Sequence, residues 1–220
     1  MNRVLERKKV VSSYYSEYQY ATASVSNGEA SVEIADLMIA QLSRLGIKRI
    51  CDLGCGNGYL VGRLSTLGFN VSGIDASASG IDVARNAHPQ ARFHCRHICA
   101  NLRQEIGEGD FDAVASCDVI EHLYRPSDLL EAASELLPIG GHLLVCTPYH
   151  GYWKNLALSI TGRMDAHFTA LWDGGHVKFF SVKTLSELVH RHGFKVEVFS
   201  FYGRLPWLWK NMICHARKVA

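Results

Sequence analysis

A glycine-rich loop is the strongest candidate for a chemical role in this chain. Residues 52–58 read DLGCGNG, with Gly54, Gly56 and Gly58 at alternate positions. Glycine adopts positive φ angles and lets a ligand approach the main chain closely. Where such a loop leads from a strand into a helix, the amide donors at the helix start face the ligand. Residues 52–58 are therefore predicted to bind a cofactor.

The spacing of the glycines distinguishes between cofactors. A dinucleotide-binding loop has its third glycine three residues after the second, and here that position is occupied by Tyr59. Gly58 comes one residue earlier, and the acidic Asp52 suits a cationic, amino-acid-bearing ligand better than a pyrophosphate. A nicotinamide-dependent oxidoreductase is thereby disfavoured.

A second acidic residue follows the loop at the interval expected for a ribose contact. Residues 70–75 read NVSGID, so Asp75 ends an apolar run about twenty residues after the glycines. Asp75 is predicted to bind ribose hydroxyls, next to Ala76. Alternatively, Asp75 and Ser77 cap the next helix, and the two roles are compatible.

Apolar strand patterns alternate with helical patterns along the chain, which indicates βαβ units and a parallel sheet covered on both faces. We expect one α/β domain over residues 1–220. The predicted strands are 49–53, 70–74, 92–97, 111–116, 142–147, 194–201 and 212–219, and the predicted helices are 31–45, 59–67, 79–87, 127–137 and 181–192.

Four motifs in order resemble the class I S-adenosylmethionine-dependent methyltransferases. They are the loop at 52–58, Asp75, the run 111–122 and the turn LLPIGGHLL at 136–144. This resemblance implies a Rossmann-like, doubly wound, mostly parallel sheet of seven strands with an antiparallel last strand, and S-adenosylmethionine as cofactor. It also implies these cofactor-binding residues: Asp52, Gly54, Cys55, Gly56, Gly58, Tyr59, Asp75, Ala76, His97, Ile98, Cys117 and Asp118.

The chain departs from this family's pattern after the third strand. The family often carries an acidic residue there, near the adenine amino group, whereas residues 97–101 read HICAN. We expect the backbone of Ile98 or the side chain of His97 to take the adenine contact instead.

Within the family, Glu121-His122 resembles the small-molecule branch that includes ubiquinone-biosynthesis O-methyltransferases. Base-modifying enzymes usually carry an Asn/Asp-Pro-Pro-aromatic motif after the fourth strand, and residues 117–120 read CDVI. The predicted reaction is O-methylation of a phenol-like, quinol-like, lipid-linked or sugar hydroxyl. The alternatives are a non-catalytic S-adenosylmethionine-binding module and N-methylation of a small molecule.

A hydroxyl acceptor benefits from a base, for which histidine is well suited near neutral pH. His176 is our first candidate, followed by His122 and His150. Two of them have an alternative structural role: His122 could orient its loop, and His176 could anchor the segment before the next helix.

Three segments lie outside the alternating pattern. Residues 1–30 are tyrosine-rich and are expected to form a lid or arm, and 149–177 form a long, irregular, aromatic insertion expected to cover the substrate. Its Tyr152, Trp153 and Trp172 could instead be a satellite core. The run LPWLW at 205–209 suggests ordinary packing or a peripheral contact with a membrane.

Composition limits the remaining possibilities. A formal charge of +2 is too small for a nucleic-acid-binding surface, and we find no membrane span or export signal, so a cytoplasmic protein is expected. Five of the seven cysteines lie in apolar runs and are interpreted as core residues, and no metal site is predicted. The oligomeric state is left open. The core cysteines are Cys51, Cys95, Cys117, Cys146 and Cys214.

Overall fold

A computed structural model describes residues 19, 20, 29–168 and 170–220. These residues form strands β1 (Arg49–Leu53), β2 (Asn70–Asp75), β3 (Arg92–Cys95), β4 (Ala113–Cys117), β5 (His142–Pro148), β6 (Phe194–Tyr202) and β7 (Asn211–Lys218). The helices are α1 (Glu29–Ser43), α2 (Tyr59–Thr66), α3 (Ala78–Ala87), α4 (Leu102–Ile106), α5 (Ser127–Leu136), α6 (Tyr152–Ile160), α7 (Met164–Phe168) and α8 (Val182–Arg191).

The strands form one sheet in the order β3-β2-β1-β4-β5-β7-β6. Strands β1 to β5 pair in parallel, and β7 runs antiparallel to both β5 and β6. This confirms the predicted α/β class and the antiparallel last strand. The strand order reverses between β1 and β4, and ligands of such sheets bind beyond the carboxyl ends of the strands at that point.

Each face of the sheet has its own apolar core, as a doubly wound sheet requires. On one face, Met38 of α1 and Leu64 of α2 are completely buried. On the other, Leu129 of α5 and Leu185 of α8 are completely buried. Burial of one such side chain contributes about 1.5–3 kcal/mol, so the two cores hold the strand ends in fixed positions.

The insertion differs from its prediction. Residues 149–177 contain α6 and α7, so the expectation of an irregular segment was wrong. The inward positions of α6 are Lys154 and Leu158, and a lysine at a core-facing position hides the apolar periodicity that predicts a helix. The five-residue helix α4 was also missed. Elsewhere the predicted ends lie within about two residues of those observed.

Most of the predicted arm, 1–30, lies outside the described residues. In the part of the chain that is described, no helix is long and apolar enough to cross a membrane.

Candidate functional site

The glycine loop joins β1 to α2 at the point where the strand order reverses. The amides of Gly54 and Cys55 both donate to the carbonyl of Ile74, at 2.8 and 3.0 Å. Gly54, Gly56 and Gly58 have φ angles of +81°, +53° and +80°. A Cβ atom at Gly54 would overlap the side chain of Val119, which follows β4. The loop therefore needs glycine both for its backbone and for its close approach to the β4 end.

The start of α2 is formed by Gly58 and Tyr59. Gly58 is the N-cap residue and supplies no side-chain hydrogen bond to the first turn. A Cβ atom there would lie 2.7 Å from that of Ala84, so the loop also packs tightly on α3. The side chain of Cys55 is buried beneath the loop.

Asp75, at the end of β2, stabilises the loop through hydrogen bonds. Its Oδ2 accepts a hydrogen bond from the amide of Gly56 and its Oδ1 accepts one from Ser77, both at 2.8 Å. Ser77 is the N-cap of α3 and accepts from the amide of Gly80 at 3.1 Å. Burial raises the pKa of Asp75. Ser77 thus caps the helix while Asp75 orders the turn, and the ribose contact stays a prediction.

A second buried carboxyl lies under the same loop. Asp52 is only 2% exposed. Burial, followed by the nearby charge of Asp75, raises the pKa of Asp52 to about 7. A cationic group bound beside Asp52 would favour its ionised form.

The segment after β3 lies beside Asp75. The amide of Arg96 donates to the carbonyl of Asp75 at 2.9 Å, and the charge of His97 opposes the rise in the pKa of Asp75. His97 is exposed, while Ile98 packs against the core. The thiol of Cys95 contacts the carbonyl of Ala76 at 3.7 Å. An adenine contact by His97 or Ile98 stays a prediction.

The end of β4 carries Cys117 and Asp118. Asp118 has a φ angle of +53° and accepts a hydrogen bond from Asn211 Nδ2 at 3.0 Å. Burial raises its pKa to about 6. The hydrogen bond to Cys146 lowers the pKa of the Cys117 thiol, but burial and the nearby charge of Asp118 outweigh it and raise the pKa to about 11. Asn211 was not identified from the sequence, because it lies 93 residues from its partner.

Glu121, His122 and His176 meet beyond the same strand end. The rings of His122 and His176 are 4.8 Å apart between centroids, and His122 Nδ1 lies 3.1 Å from the carbonyl oxygen of Gly174. Burial lowers the pKa of both histidines, that of His176 to about 4. Two of the three predicted bases are thus in contact, and both are neutral at pH 7.

Glu121 holds the end of the insertion in place. Its carbonyl accepts from the amides of Val177 and Lys178, both at 2.9 Å. Its Oε2 accepts from Thr147 Oγ1 at 2.9 Å, and its buried Oε1 has no hydrogen-bond partner among the described residues. Burial and the charge of Asp118 raise the pKa of Glu121. Glu121 therefore links the segment after β4 to both the end of β5 and the end of the insertion.

The same three side chains could hold a metal ion. Glu121, His122 and His176 each offer one ligand atom, and these atoms lie within 4.8 Å of one another. Sequence spacing could not indicate this group, because His176 is distant from the other two. The prediction of no metal site stays untested.

His150 lies in an aromatic cluster. Its ring is 5.0 Å from Phe179, 5.2 Å from His167 and 5.8 Å from Phe168, measured between centroids. Burial lowers its pKa to about 3. These contacts favour a structural role for His150 over that of a base. By contrast, Tyr152, Trp153 and Trp172 are 73%, 58% and 50% exposed, so they do not form a satellite core.

Tyr20 also reaches the glycine loop. Its amide donates to Ser79 Oγ at 3.0 Å. Cβ atoms built on Gly56 and Gly80 would lie 2.8 and 2.9 Å from atoms of its ring and hydroxyl. The tyrosine-rich arm was the only sequence signal for this contact.

Comparison with known proteins adds a family match. The model of a methyltransferase domain family matches residues 29–198. Two similar curated proteins are ubiquinone biosynthesis O-methyltransferases, from Roseobacter denitrificans at 34% identity over 170 residues and from Ruegeria sp. strain TM1040 at 33% over 168. Each match covers 74% of this chain and 66% of the relative. The chain thus spans about two thirds of the length of these relatives.

Solved structures show the same fold. The magnesium protoporphyrin IX methyltransferase of Synechocystis PCC 6803, with bound SAH, superposes with a TM-score of 0.68 at 19% identity. The match covers 96% of this chain and 99% of that one.

Proposed function

Because the chain belongs to the family of S-adenosylmethionine-dependent methyltransferases, we propose that it methylates a hydroxyl group of an apolar, phenol- or quinol-type small molecule. The observation that supports this most is the contact of Glu121, His122 and His176 beyond β4. The glycine loop follows β1 at the same edge of the sheet, since β1 and β4 are parallel neighbours. A base and a methyl donor would therefore lie side by side.

The loop and its carboxyls fit the cofactor. Gly54, Gly56 and Gly58 have no Cβ atom at positions where one would come too close to neighbouring side chains. Asp52 and Asp75 are buried carboxyl groups whose ionised forms suit the ammonium and sulfonium groups, and Asp75 retains lone pairs for ribose hydroxyls. When bound, S-adenosylmethionine supplies a methyl group already activated on sulfur.

The chain's own part in the reaction is to orient the acceptor and to take up its proton. Orientation alone lowers such a barrier by about 7–11 kcal/mol. We assign His176 as the base, with His122 as the residue that positions it by ring contact. Burial lowers the pKa of both histidines, so the neutral form that can accept a proton predominates at pH 7. An imidazole nitrogen would take the hydroxyl proton while the methyl group leaves the sulfonium sulfur for the acceptor oxygen.

The insertion provides apolar surface for the acceptor. Trp172 lies edge-on to His122, with 5.9 Å between ring centroids, and 5.7 Å from His176. A flat aromatic acceptor could pack against this half-exposed indole. The names of the curated relatives, ubiquinone biosynthesis O-methyltransferases, support the same acceptor class.

The test is transfer of a labelled methyl group to a catechol that carries a short prenyl chain. We expect turnover by the natural chain, and a loss of about 10²- to 10⁴-fold in kcat for His176→Ala with little change in cofactor affinity. His190→Ala, on the exposed face of α8, is the control and should keep full activity. An unchanged kcat in His176→Ala would remove that residue from the mechanism. Cofactor binding with no transfer to any hydroxyl compound would instead support a binding module, and transfer to amines would support N-methylation.

We further propose that the acceptor reaches the site from a membrane surface. Leu205 and Trp207, between β6 and β7, are 69% and 60% exposed, whereas Trp209 stacks on Phe201 with centroids 4.0 Å apart. The run 205–209 thus combines packing with an exposed apolar turn. Arg204 is close enough to Lys154 of α6 to lower its pKa, which places this turn beside the insertion. Loss of sedimentation with anionic vesicles in Trp207→Ser, compared with the natural chain, would support this contact; equal sedimentation would refute it.

A further inference from the structure

Three potential metal ligands meet far from the candidate methyl-transfer site. His142 begins β5, His215 lies in β7 and Glu197 lies in β6. Leu144, two residues after His142, pairs with His215, and His215 pairs with Val198. The β6–β7 register shifts between Val196 and Val198, so Glu197 lies at this irregularity in the strand pairing.

The ligand atoms of this group are already close together. His142 Nδ1 and His215 Nε2 are 2.9 Å apart, and all three potential ligand atoms lie within 4.8 Å of one another. Bonds of about 2.0–2.1 Å to a tetrahedral zinc ion place ligand atoms roughly 3.4 Å apart. Small side-chain rotations would therefore bring the group to the spacing of a metal site.

The chemistry of the side chains is consistent with a borderline-soft divalent cation. Burial lowers the pKa of both His142 and His215, so both rings are neutral at pH 7, as metal ligands must be. Without an ion, one ring donates an N–H hydrogen bond to the ring nitrogen of the other. On binding, its proton would move to the other nitrogen of that ring, leaving two lone pairs for the ion.

The surroundings provide access and charge balance. His215 is buried, His142 is half-buried and Glu197 is exposed, so an ion could enter from the Glu197 side. Arg217 Nε lies 4.0 Å from Glu197 Oε1 and opposes a cation. Burial lowers the pKa of His142, and the charges of Glu197 and Asp112 partly offset this effect, so these two carboxylates favour positive charge there.

We propose that His142, His215 and Glu197 form a binding site for a divalent transition-metal ion of the zinc type, with the fourth position open to water. The site would join the β6–β7 hairpin to β5. It differs from the Glu121 group, since His142 starts β5 and Thr147, which contacts Glu121, lies near its end, roughly 16 Å away at 3.3 Å per residue. The inference is independent of the proposed methyl transfer.

The experiment is calorimetric titration with Zn²⁺ in a His122→Ala/His176→Ala background, which removes the other histidine pair. We expect the group of His142, His215 and Glu197 to bind one Zn²⁺ per chain in this background, which still contains the potential ligands Cys117, Asp118 and Cys146. The number of bound Zn²⁺ ions should fall by one when His215→Gln is added, and the affinity of the His142 group should fall at least tenfold with Glu197→Gln, a change at an exposed residue. His190→Ala should bind as the background does.

Thermal unfolding provides the second readout. An ion that binds only the folded state raises the unfolding temperature, so Zn²⁺ should raise it in the background variant and not after His215→Gln. Circular dichroism of the ion-free variants shows that each is folded. Zinc binding or stabilisation that is unchanged by both His215→Gln and Glu197→Gln would overturn the proposal, as would no zinc binding by the background variant.

Discussion

Single residues in this site are defined by buried charge. Asp52 and Asp75 lie under one loop, and Asp118 and Glu121 lie at the end of the neighbouring strand. Burial raises the pKa of all four carboxyl groups. Such perturbed groups concentrate where a protein binds or transforms a ligand. In this protein the four carboxyl groups lie where their ionised forms would balance the positive charge of a cationic cofactor.

The first prediction concerns the pH dependence of cofactor affinity. Asp52 has a pKa of about 7, and only its ionised form attracts a cation. The affinity for S-adenosylmethionine should therefore rise as pH increases from 5.5 to 7.5, by up to tenfold per pH unit below the pKa. Calorimetry across this range measures it. Asp52→Asn should bind more weakly with a flatter profile, and equal slopes in both proteins would contradict this role for Asp52.

The sequence alone predicts those site residues whose neighbours in the site are also close to them in the sequence. The loop and Asp75 were predicted from glycine register and strand ends, and the structure joins them through the Gly56 amide. Asn211 and Thr147 could not be predicted, because each meets its partner through strand pairing and not through sequence proximity. His150 was proposed as a base, yet its aromatic contacts favour packing.

At the scale of elements, the loop after β1 lies so close to the segment after β4 that a glycine position can be unable to hold a larger side chain. Gly54 combines a φ angle of +81° with a Cβ position that overlaps Val119. Gly68 has a φ angle of +87° and nothing within 4 Å of its Cβ position. A comparison of substitutions at Gly54 and Gly68 therefore separates the effect of backbone strain from that of steric overlap.

Gly54→Ala should therefore lose cofactor affinity by at least tenfold, because the loop must move away from β4. Gly68→Ala should lose only the free energy of a left-handed residue, about 1–2 kcal/mol, with cofactor affinity unchanged. Adding Val119→Ala to Gly54→Ala should restore part of the affinity. Calorimetry and urea unfolding measure both quantities, and equal affinity losses in the two glycine variants would refute the steric explanation.

Helix α6 depends on one buried lysine. Lys154 Nζ donates to the carbonyl oxygen of Tyr149 at 2.7 Å and to that of Lys210 at 3.4 Å. These bonds attach the insertion to the ends of β5 and β7. Burial lowers the pKa of Lys154 to about 8.

Lys154→Met should lower the free energy of unfolding by about 1–3 kcal/mol, since two carbonyl groups lose a buried donor. It should also increase proteolysis within 149–177. Denaturant unfolding measures the first effect and limited proteolysis the second. Lys183→Met, at an exposed position of α8, is the control. Equal stability of the two variants would show that Lys154 does not attach the insertion.

At the scale of the whole molecule, the alternation of strand and helix patterns was sufficient to predict the fold class. The periodicity of α1, α2, α3 and α5 is clear because each buries one apolar stripe against the sheet. The insertion was not predictable in the same way, since α6 turns Lys154 inward and α7 buries none of its residues. The family match confirms the expected enzyme class and its cofactor, whereas the acceptor and the membrane contact stay proposals.

The most direct test of the account is calorimetric titration of the chain with S-adenosylmethionine, S-adenosylhomocysteine and NAD. We predict one site per chain for the first two ligands, no binding of NAD, and at least tenfold weaker binding of S-adenosylmethionine by a folded Asp75→Ala variant. Binding of NAD, or no binding of either adenosyl ligand, would contradict the assignment of the loop at 52–58 to a sulfonium cofactor.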